Sequence, residues 1–197
     1  VKLAHDFSAK TSVVLAGPGL GRQEETLEAL RELVGMMDRP LVLDADGLFA
    51  LAGHIELLAA SDTLAVLTPH PGVAARLTGL SVRQIQSDRI GVARRSAMEW
   101  GAVVVLKGSR TVVAFPDGEI FVNPTGNSGM ASGGMGDVLA GMIAALIAQG
   151  LSSQDAAVLG VYLHGLAGDG VAEERPAGMT AVDLAERIPA TIRSLMV

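Results

Sequence analysis
The chain has 197 residues, 49% of them hydrophobic and 18% charged, which suits a single domain over residues 1–197 with a sizeable core. A net charge of −6 without a basic patch argues against a nucleic-acid partner, and the absence of cysteine removes disulfides, thiolate chemistry and Cys-ligated zinc. Residues 1–10 carry no apolar signal core, and the most apolar helical stretch, residues 138–148, is too short to span a bilayer, so a cytoplasmic protein with no membrane partner is expected. No internal repeat, low-complexity tract or linker interrupts the chain. Residues 12–16 read as a buried strand. Residues 24–37 then place Leu27, Leu30, Leu33, Val34 and Met37 near one helical face. Residues 40–43 and 64–67 are a second and a third strand. Ser87 is expected to cap a helix that runs to Trp100 and ends at Gly101. Residues 103–106 make a fourth strand. Residues 111–115 and 120–122 flank Pro116-Asp117-Gly118 and should pair as a hairpin. Two helices follow, over 135–149 and from Ser152 to about Ala172, and a last helical region from Thr180 is expected to be interrupted near Pro189. Strand–helix alternation followed by a hairpin predicts an α/β fold, a mostly parallel sheet with helices on both faces. Ligands of such sheets gather at the carboxyl ends of the strands.

The loops at those ends carry the chemistry. Gly17-Pro18-Gly19-Leu20-Gly21 joins a strand to a helix and imitates a dinucleotide fingerprint, but Arg22 breaks its spacing. It is either a tight turn without a ligand or a phosphate or substrate loop. No G-x-x-x-x-G-K-S/T run exists, which excludes a P-loop NTPase. In Leu43-Asp44-Ala45-Asp46-Gly47 two carboxylates end a strand; they suit Mg²⁺ held through water or a polar ligand, unless Asp46 merely caps a short helix beginning at Gly47. In Thr68-Pro69-His70-Pro71-Gly72 prolines stiffen the backbone on either side of His70, a ligand contact or an ordinary structural histidine. His5, His54 and His164 lack such a context and read as structural or solvated. Lys107-Gly108-Ser109-Arg110-Thr111 offers two cations, two hydroxyls and a glycine, a set that suits a nucleotide phosphate better than an ordinary exposed turn.

The most informative stretch is residues 127–141. Gly129, Gly133, Gly134 and Gly136 let backbone N–H groups converge just before a long helix, whose N-terminus adds about half a positive charge. Together they make an anion hole. Asp137 sits in the helix's first turn, a base beside that hole. Phosphoryl transfer to an alcohol needs this pairing: one group takes the hydroxyl proton while donors stabilise the charge on the transferred phosphoryl. The alternative is a glycine-rich loop with a capping aspartate.

Gly133-Gly134-Met135-Gly136-Asp137 resembles the Gly-x-Gly-Asp signature of the ribokinase-like superfamily. With Gly17 to Gly21, Leu43 to Gly47, Thr68 to Gly72, Val105-Leu106-Lys107-Gly108 and Gly129-Met130-Ala131-Ser132 in that order, the chain resembles the ADP-dependent NAD(P)H-hydrate dehydratase family, whose members are often fused to an NAD(P)H-hydrate epimerase. The resemblance implies a ribokinase-like fold and repair of NADH and NADPH hydrated at the nicotinamide ring. It implies ADP or ATP as co-substrate, Mg²⁺ as cofactor, an epimerase as partner, and a homo-oligomer of up to four copies. By resemblance Asp137 is the catalytic base. Lys107, Gly108, Ser109, Arg110, Thr111, Gly133, Gly134 and Gly136 would hold the nucleotide and its phosphates. Gly21, Asp44, His70, Asn127 and Asp137 would contact the hydrated nicotinamide nucleotide. No metal ligand is assigned. Members usually carry further residues ahead of the position of Ser12, so the family's N-terminal βα units are expected to be lacking. Val73 replaces a glutamate usual after His-Pro-Gly, which should weaken metal organisation, and Ser128 stands where proline is common. Two other readings are a kinase of a small vitamin-precursor alcohol, against which the His70 loop and Met130-Ala131-Ser132 argue, and an inactive interaction module.

Overall fold
Short apolar runs bury both faces only inside a sheet covered on both sides, and six of them form one sheet here in the order β1 to β6. A computed structural model describes residues 1–60, 64–175 and 177–196. Its elements are α1 (Lys2–Ser8), β1 (Val14–Ala16), α2 (Glu24–Met36), β2 (Leu41–Leu43), α3 (Ala45–Ala50), β3 (Val66–Leu67), α4 (Pro71–Thr78), α5 (Val82–Ser87), α6 (Arg89–Trp100), β4 (Val103–Leu106), β5 (Val112–Ala114), β6 (Ile120–Val122), α7 (Met135–Ala148), α8 (Ser153–Glu174) and α9 (Ala181–Ser194). Strands β1 to β4 are parallel, with Val14 opposite Leu41, Val42 opposite Val66 and Val66 opposite Val103. Strands β5 and β6 continue the sheet antiparallel, the hairpin expected from Pro116-Asp117-Gly118.

Sequential strand order has a consequence for the layers. Right-handed crossovers that always step the same way place every connecting helix on one face. Leu43, Leu67, Val104 and Leu106 accordingly point at a core shared with residues of α2 to α6, among them Leu30, Leu48, Ile85 and Trp100. The alternate residues Val42, Val66, Val103, Val105 and Val113 point the other way. That second face is covered by the C-terminal helices, through Leu139, Ile143 and Ile147 of α7 and Ala156, Ala157 and Val161 of α8. A third cluster of Met135, Ala167, Val171, Met179 and Leu184 binds the start of α7 to α8 and α9. The mostly parallel α/β sheet with helices on both faces is as expected.

Three local expectations are corrected. Ser87 does not cap the helix to Trp100; it closes α5, with its hydroxyl donating to the Gln84 carbonyl at 2.8 Å. A cap needs non-helical backbone, which Asp88 supplies at φ −146°, and its carboxylate accepts from the Gly91 N–H at 2.9 Å. Asp46 does not cap a helix at Gly47, because α3 begins at Ala45 and Asp46 lies inside its first turn. Pro189 does not interrupt α9, which runs from Ala181 to Ser194. The proline and Ala185, whose carbonyl it deprives of a donor, are both exposed, so the lost bond falls on the solvent side while Leu184 and Thr191 stay buried on the inner side. Helix α1 has no counterpart among the elements read from the sequence.

Candidate active site
The carboxyl ends of β1, β2, β3 and β4 lead into the loops beginning at Gly17, Asp44, Thr68 and Lys107, all on one edge of the sheet. Main-chain bonds tie these loops together: Asp44 N–H donates to Ala16 O at 3.3 Å, Thr68 N–H to Leu43 O at 3.1 Å and Lys107 N–H to Pro69 O at 2.9 Å. The Gly17 to Gly21 loop is fastened to α3 by Asp46, which accepts from the Gly21 N–H at 3.0 Å and from Arg22 Nε at 2.7 Å. The Arg22 hydrogen bond holds the Asp46 carboxyl below the usual carboxylate range. Arg22 in turn lies over the Phe49 ring, 4.6 Å from its centroid.

Lys107 reaches across the edge to Asp44. Its Nζ lies 2.7 Å from Oδ1 and 3.0 Å from Oδ2, and both side chains are largely buried, 18% and 4% exposed. The pair is seated directly under α7: a Cβ built on Gly136 would lie 2.9 Å from Lys107 Nζ and 3.3 Å from Asp44 Oδ2. A side chain at position 136 would crowd the pair and push the Lys107 ammonium aside. Gly134, the N-cap, turns the chain into the helix with φ 83°. The N–H groups of Met135, Gly136 and Asp137 have no hydrogen-bond partner among the described residues, as expected of a first helical turn. Gly133, Gly134 and Asp137 are exposed, and Asp137 makes no ion pair among the described residues.

His70 is the N-cap of α4. Its Nδ1 accepts from the Gly72 N–H at 3.0 Å, so the neutral ring carries its proton on Nε2. Desolvation lowers its pKa, the positive charges of Lys107 and Arg22 add to this, and Asp44 opposes it, so the ring shares the field of those groups. Val73 packs its half-buried side chain against the core on the α2-to-α6 face.

A cavity of about 590 Å³ opens beside the ion pair. Lys107, Gly108, Ser109, Arg110, Thr111, Asn127 and Gly136 line it, whereas Gly21, Asp44, His70, Gly133, Gly134 and Asp137 do not. Asn127 is held within its own loop: its Oδ1 accepts from the Gly129 N–H at 2.9 Å and its Nδ2 donates to Asp169 at 3.0 Å, leaving one N–H for a ligand. Asp169 also accepts from the Gly126 N–H at 2.8 Å. Buried Asn123 donates to Thr125 O and Val161 O, and Thr125 donates to Tyr162 O. Asn123, Asp169 and Arg89, which grips the end of β4, were missed in the sequence. Asn123-Pro124-Thr125-Gly126 is a readable turn, but Asp169 is one acid on a long helix and carries no local signal. His164, read as structural or solvated, is buried in the cavity wall with Nε2 3.0 Å from the Met135 carbonyl; burial pushes its pKa down to about 4.

Among the described residues no three histidine or acidic side chains are grouped to hold a metal ion. Asp44 is engaged by Lys107 and Asp46 by Arg22. The donor set therefore fits a cation brought by phosphate oxygens, not one caged by protein.

Comparison with known proteins places this geometry. The family profile described as NAD(P)H-hydrate dehydratase matches residues 3–190. The chain belongs to this family. It is 48% identical over 188 residues to the bifunctional NAD(P)H-hydrate repair enzyme Nnr of Moorella thermoacetica, covering 95% of this chain and 36% of that protein. It is 45% identical over 189 residues to the ADP-dependent (S)-NAD(P)H-hydrate dehydratase of Neisseria meningitidis serogroup B, covering 93% of this chain and 62% of that protein. The ADP/ATP-dependent NAD(P)H-hydrate dehydratase of Bacillus subtilis, co-crystallised with ATP and Mg²⁺, superposes with a TM-score of 0.81 at 34% identity, over 93% of this chain and 64% of that one. The chain thus spans just over a third of the bifunctional relative and under two thirds of the other two. The motifs from Gly17 to Asp137 belong to the family they resemble.

Proposed function
We propose that the chain dehydrates hydrated NADH and NADPH at the expense of ADP or ATP. The observation that carries this reading is the Asp44–Lys107 pair seated under Gly136, where the free amides of residues 135–137 meet the strand ends. Family membership and the names of the relatives support it. In this scheme the nucleotide occupies the cavity walled by residues 107–111, and Lys107, with the helix amides, balances charge on the transferred phosphoryl. Gly133 and Gly134 shape the same anion hole. Asp137 takes the proton of the ring hydroxyl as the hydroxyl oxygen bonds to the terminal phosphorus of the nucleotide, whose P–O bond to the preceding phosphate breaks and releases AMP from ADP or ADP from ATP. The product phosphate ester has a good leaving group: the ring nitrogen's electron pair expels phosphate, and loss of a proton from the neighbouring ring carbon restores the dihydropyridine. Gly21, His70 and Asp44 contact the nicotinamide nucleotide, and Asn127 shapes the loop between the sites. Mg²⁺, held by the nucleotide's phosphate oxygens, would supply positive charge against the transferred phosphoryl beside Lys107. An NAD(P)H-hydrate epimerase is the expected partner, consistent with relatives called bifunctional. The deciding experiment incubates the chain with hydrated NADPH, Mg²⁺ and either nucleotide. Recovery of NADPH absorbance matched by phosphate release is expected. No recovery, with phosphorylation of a vitamin-precursor alcohol instead, would replace this reading with the kinase one.

A further inference from the structure
Arg89 stands where electrostatics disfavours it. It is the first residue of α6, so its cation sits at the positive end of the helix dipole. It is also half-buried, and desolvation draws its pKa below the ordinary value. A cation so placed needs compensating acceptors, and they are the carbonyl of Leu106, which ends β4, and that of Lys107 just beyond it. Nη2 donates to Leu106 O at 2.9 Å and Nη1 to Lys107 O at 3.4 Å, while Gln86 Oε1 steadies Nη1 at 3.1 Å. Gly108 makes room: a Cβ there would lie 2.8 Å from Nη1, and its φ of +146° is one that L side chains rarely adopt.

Peptide geometry turns this grip into a directional effect. A trans peptide points its carbonyl and the following N–H in opposite directions, and no peptide among the described residues is cis. Holding the Lys107 carbonyl toward Arg89 therefore aims the Gly108 N–H away from it. The Gly108 carbonyl accepts from Thr111 Oγ1 at 3.0 Å, which likewise turns the Ser109 N–H outward. The N–H groups of Gly108, Ser109 and Arg110 have no hydrogen-bond partner among the described residues, and all three residues line the cavity. Arg110 has φ 55°. Successive free amides around a left-handed residue form a concavity that binds anions. Arg89 itself does not line the cavity.

We propose that Arg89 is the positioning residue of the nucleotide site: by holding the carbonyls of Leu106 and Lys107, it presents the amides of residues 108–110 to the nucleotide's phosphates without touching them. This rests on the reading of that cavity as the nucleotide site. The test titrates ADP and ATP calorimetrically into wild type, Arg89→Lys and Arg89→Ala, and measures turnover with hydrated NADPH. Lysine keeps charge and stem but cannot fork between two carbonyls, so Arg89→Lys decides the matter even where Arg89→Ala unfolds. Expected are a nucleotide Kd weakened about tenfold in both variants, a matching rise in nucleotide KM, kcat within about two-fold at saturation, and partial recovery of Arg89→Ala binding with added methylguanidinium. Wild-type affinity in Arg89→Lys, or loss of kcat at unchanged KM, overturns the proposal. Wild-type protein that binds nucleotide but never restores NADPH defeats the dehydratase reading while leaving the Arg89 inference standing.

Discussion

Asp137 and Lys107 divide the work at the start of α7 by their surroundings. Asp137 is exposed and holds up no part of the fold, so its removal tests chemistry alone. Asp137→Asn is expected to lower kcat by about 10²–10⁴, the usual worth of a general base, with nucleotide affinity within a few-fold and melting temperature little changed. Steady-state turnover beside calorimetric titration checks this, and a near-normal rate would remove Asp137 from the mechanism. Lys107 differs because its partner Asp44 is 4% exposed at the side chain. Lys107→Ala leaves a buried carboxylate alone, which costs about 3–5 kcal/mol of stability on top of lost nucleotide binding. Adding Asp44→Asn to that variant should return much of the stability and none of the binding. Urea unfolding of the two variants separates the effects; a Lys107→Ala protein as stable as wild type would mean that the pair contributes nothing to the fold.

The helices α7 and α8 are joined at the site by His164, whose ring is buried against the Met135 carbonyl. Its pKa falls from 6.5 to about 4 because burial disfavours the charged ring. The unfolded chain takes up this proton at higher pH than the folded one does. Stability from this group is therefore complete above about pH 6.5 and is lost as pH falls toward 4, amounting to ~3 kcal/mol across that window. His164→Gln keeps an N–H for the Met135 carbonyl and removes the titration. Denaturant unfolding at steps through that range should show a shallower loss of stability in the variant than in wild type. Parallel curves would show that the ring charges in place. The same joint sets where the first turn of α7 lies, so acid should weaken nucleotide binding before it unfolds the sheet.

At the scale of the sheet, β1 pairs on one side only among the described residues, with β2, and Leu15 on that strand is 37% exposed. An apolar strand with one open side is a template for association. We expect self-association that grows with protein concentration and is reduced in Leu15→Glu, read by light scattering. A monomer at every concentration, or a variant that associates as wild type does, would move the contact elsewhere. The other end of the sheet, β6, leads into Asn123 and Pro124, which line the cavity, so association at β1 should leave nucleotide binding unchanged.

Much of this was legible before any coordinates. The strand runs were read to within about two residues because each is a short β-branched or leucine stretch bounded by glycine, proline or aspartate, and such local signals survive folding. The loops at the strand ends, the glycine-rich start of α7 and the family were readable in the same way, since residue type and spacing alone carry them. Local reading failed where a neighbouring element decided the outcome. Ser87 lost its cap role because the segment before it is itself a helix, and Pro189 stays in α9 because its face meets solvent. What only the tertiary structure decided is who meets whom. Asp44 and Lys107 are 63 positions apart, and they pair because the parallel strands β2 and β4 end on the same edge of the sheet, with only β3 between them for Lys107 to reach across. Arg89 and the end of β4 are brought together by one crossover, and Asp169 reaches Asn127 because α8 packs back along the sheet. Sequence patterns state which backbone each segment prefers. Charge pairing across long separations depends on where the strands and helices come to rest, which no local pattern encodes.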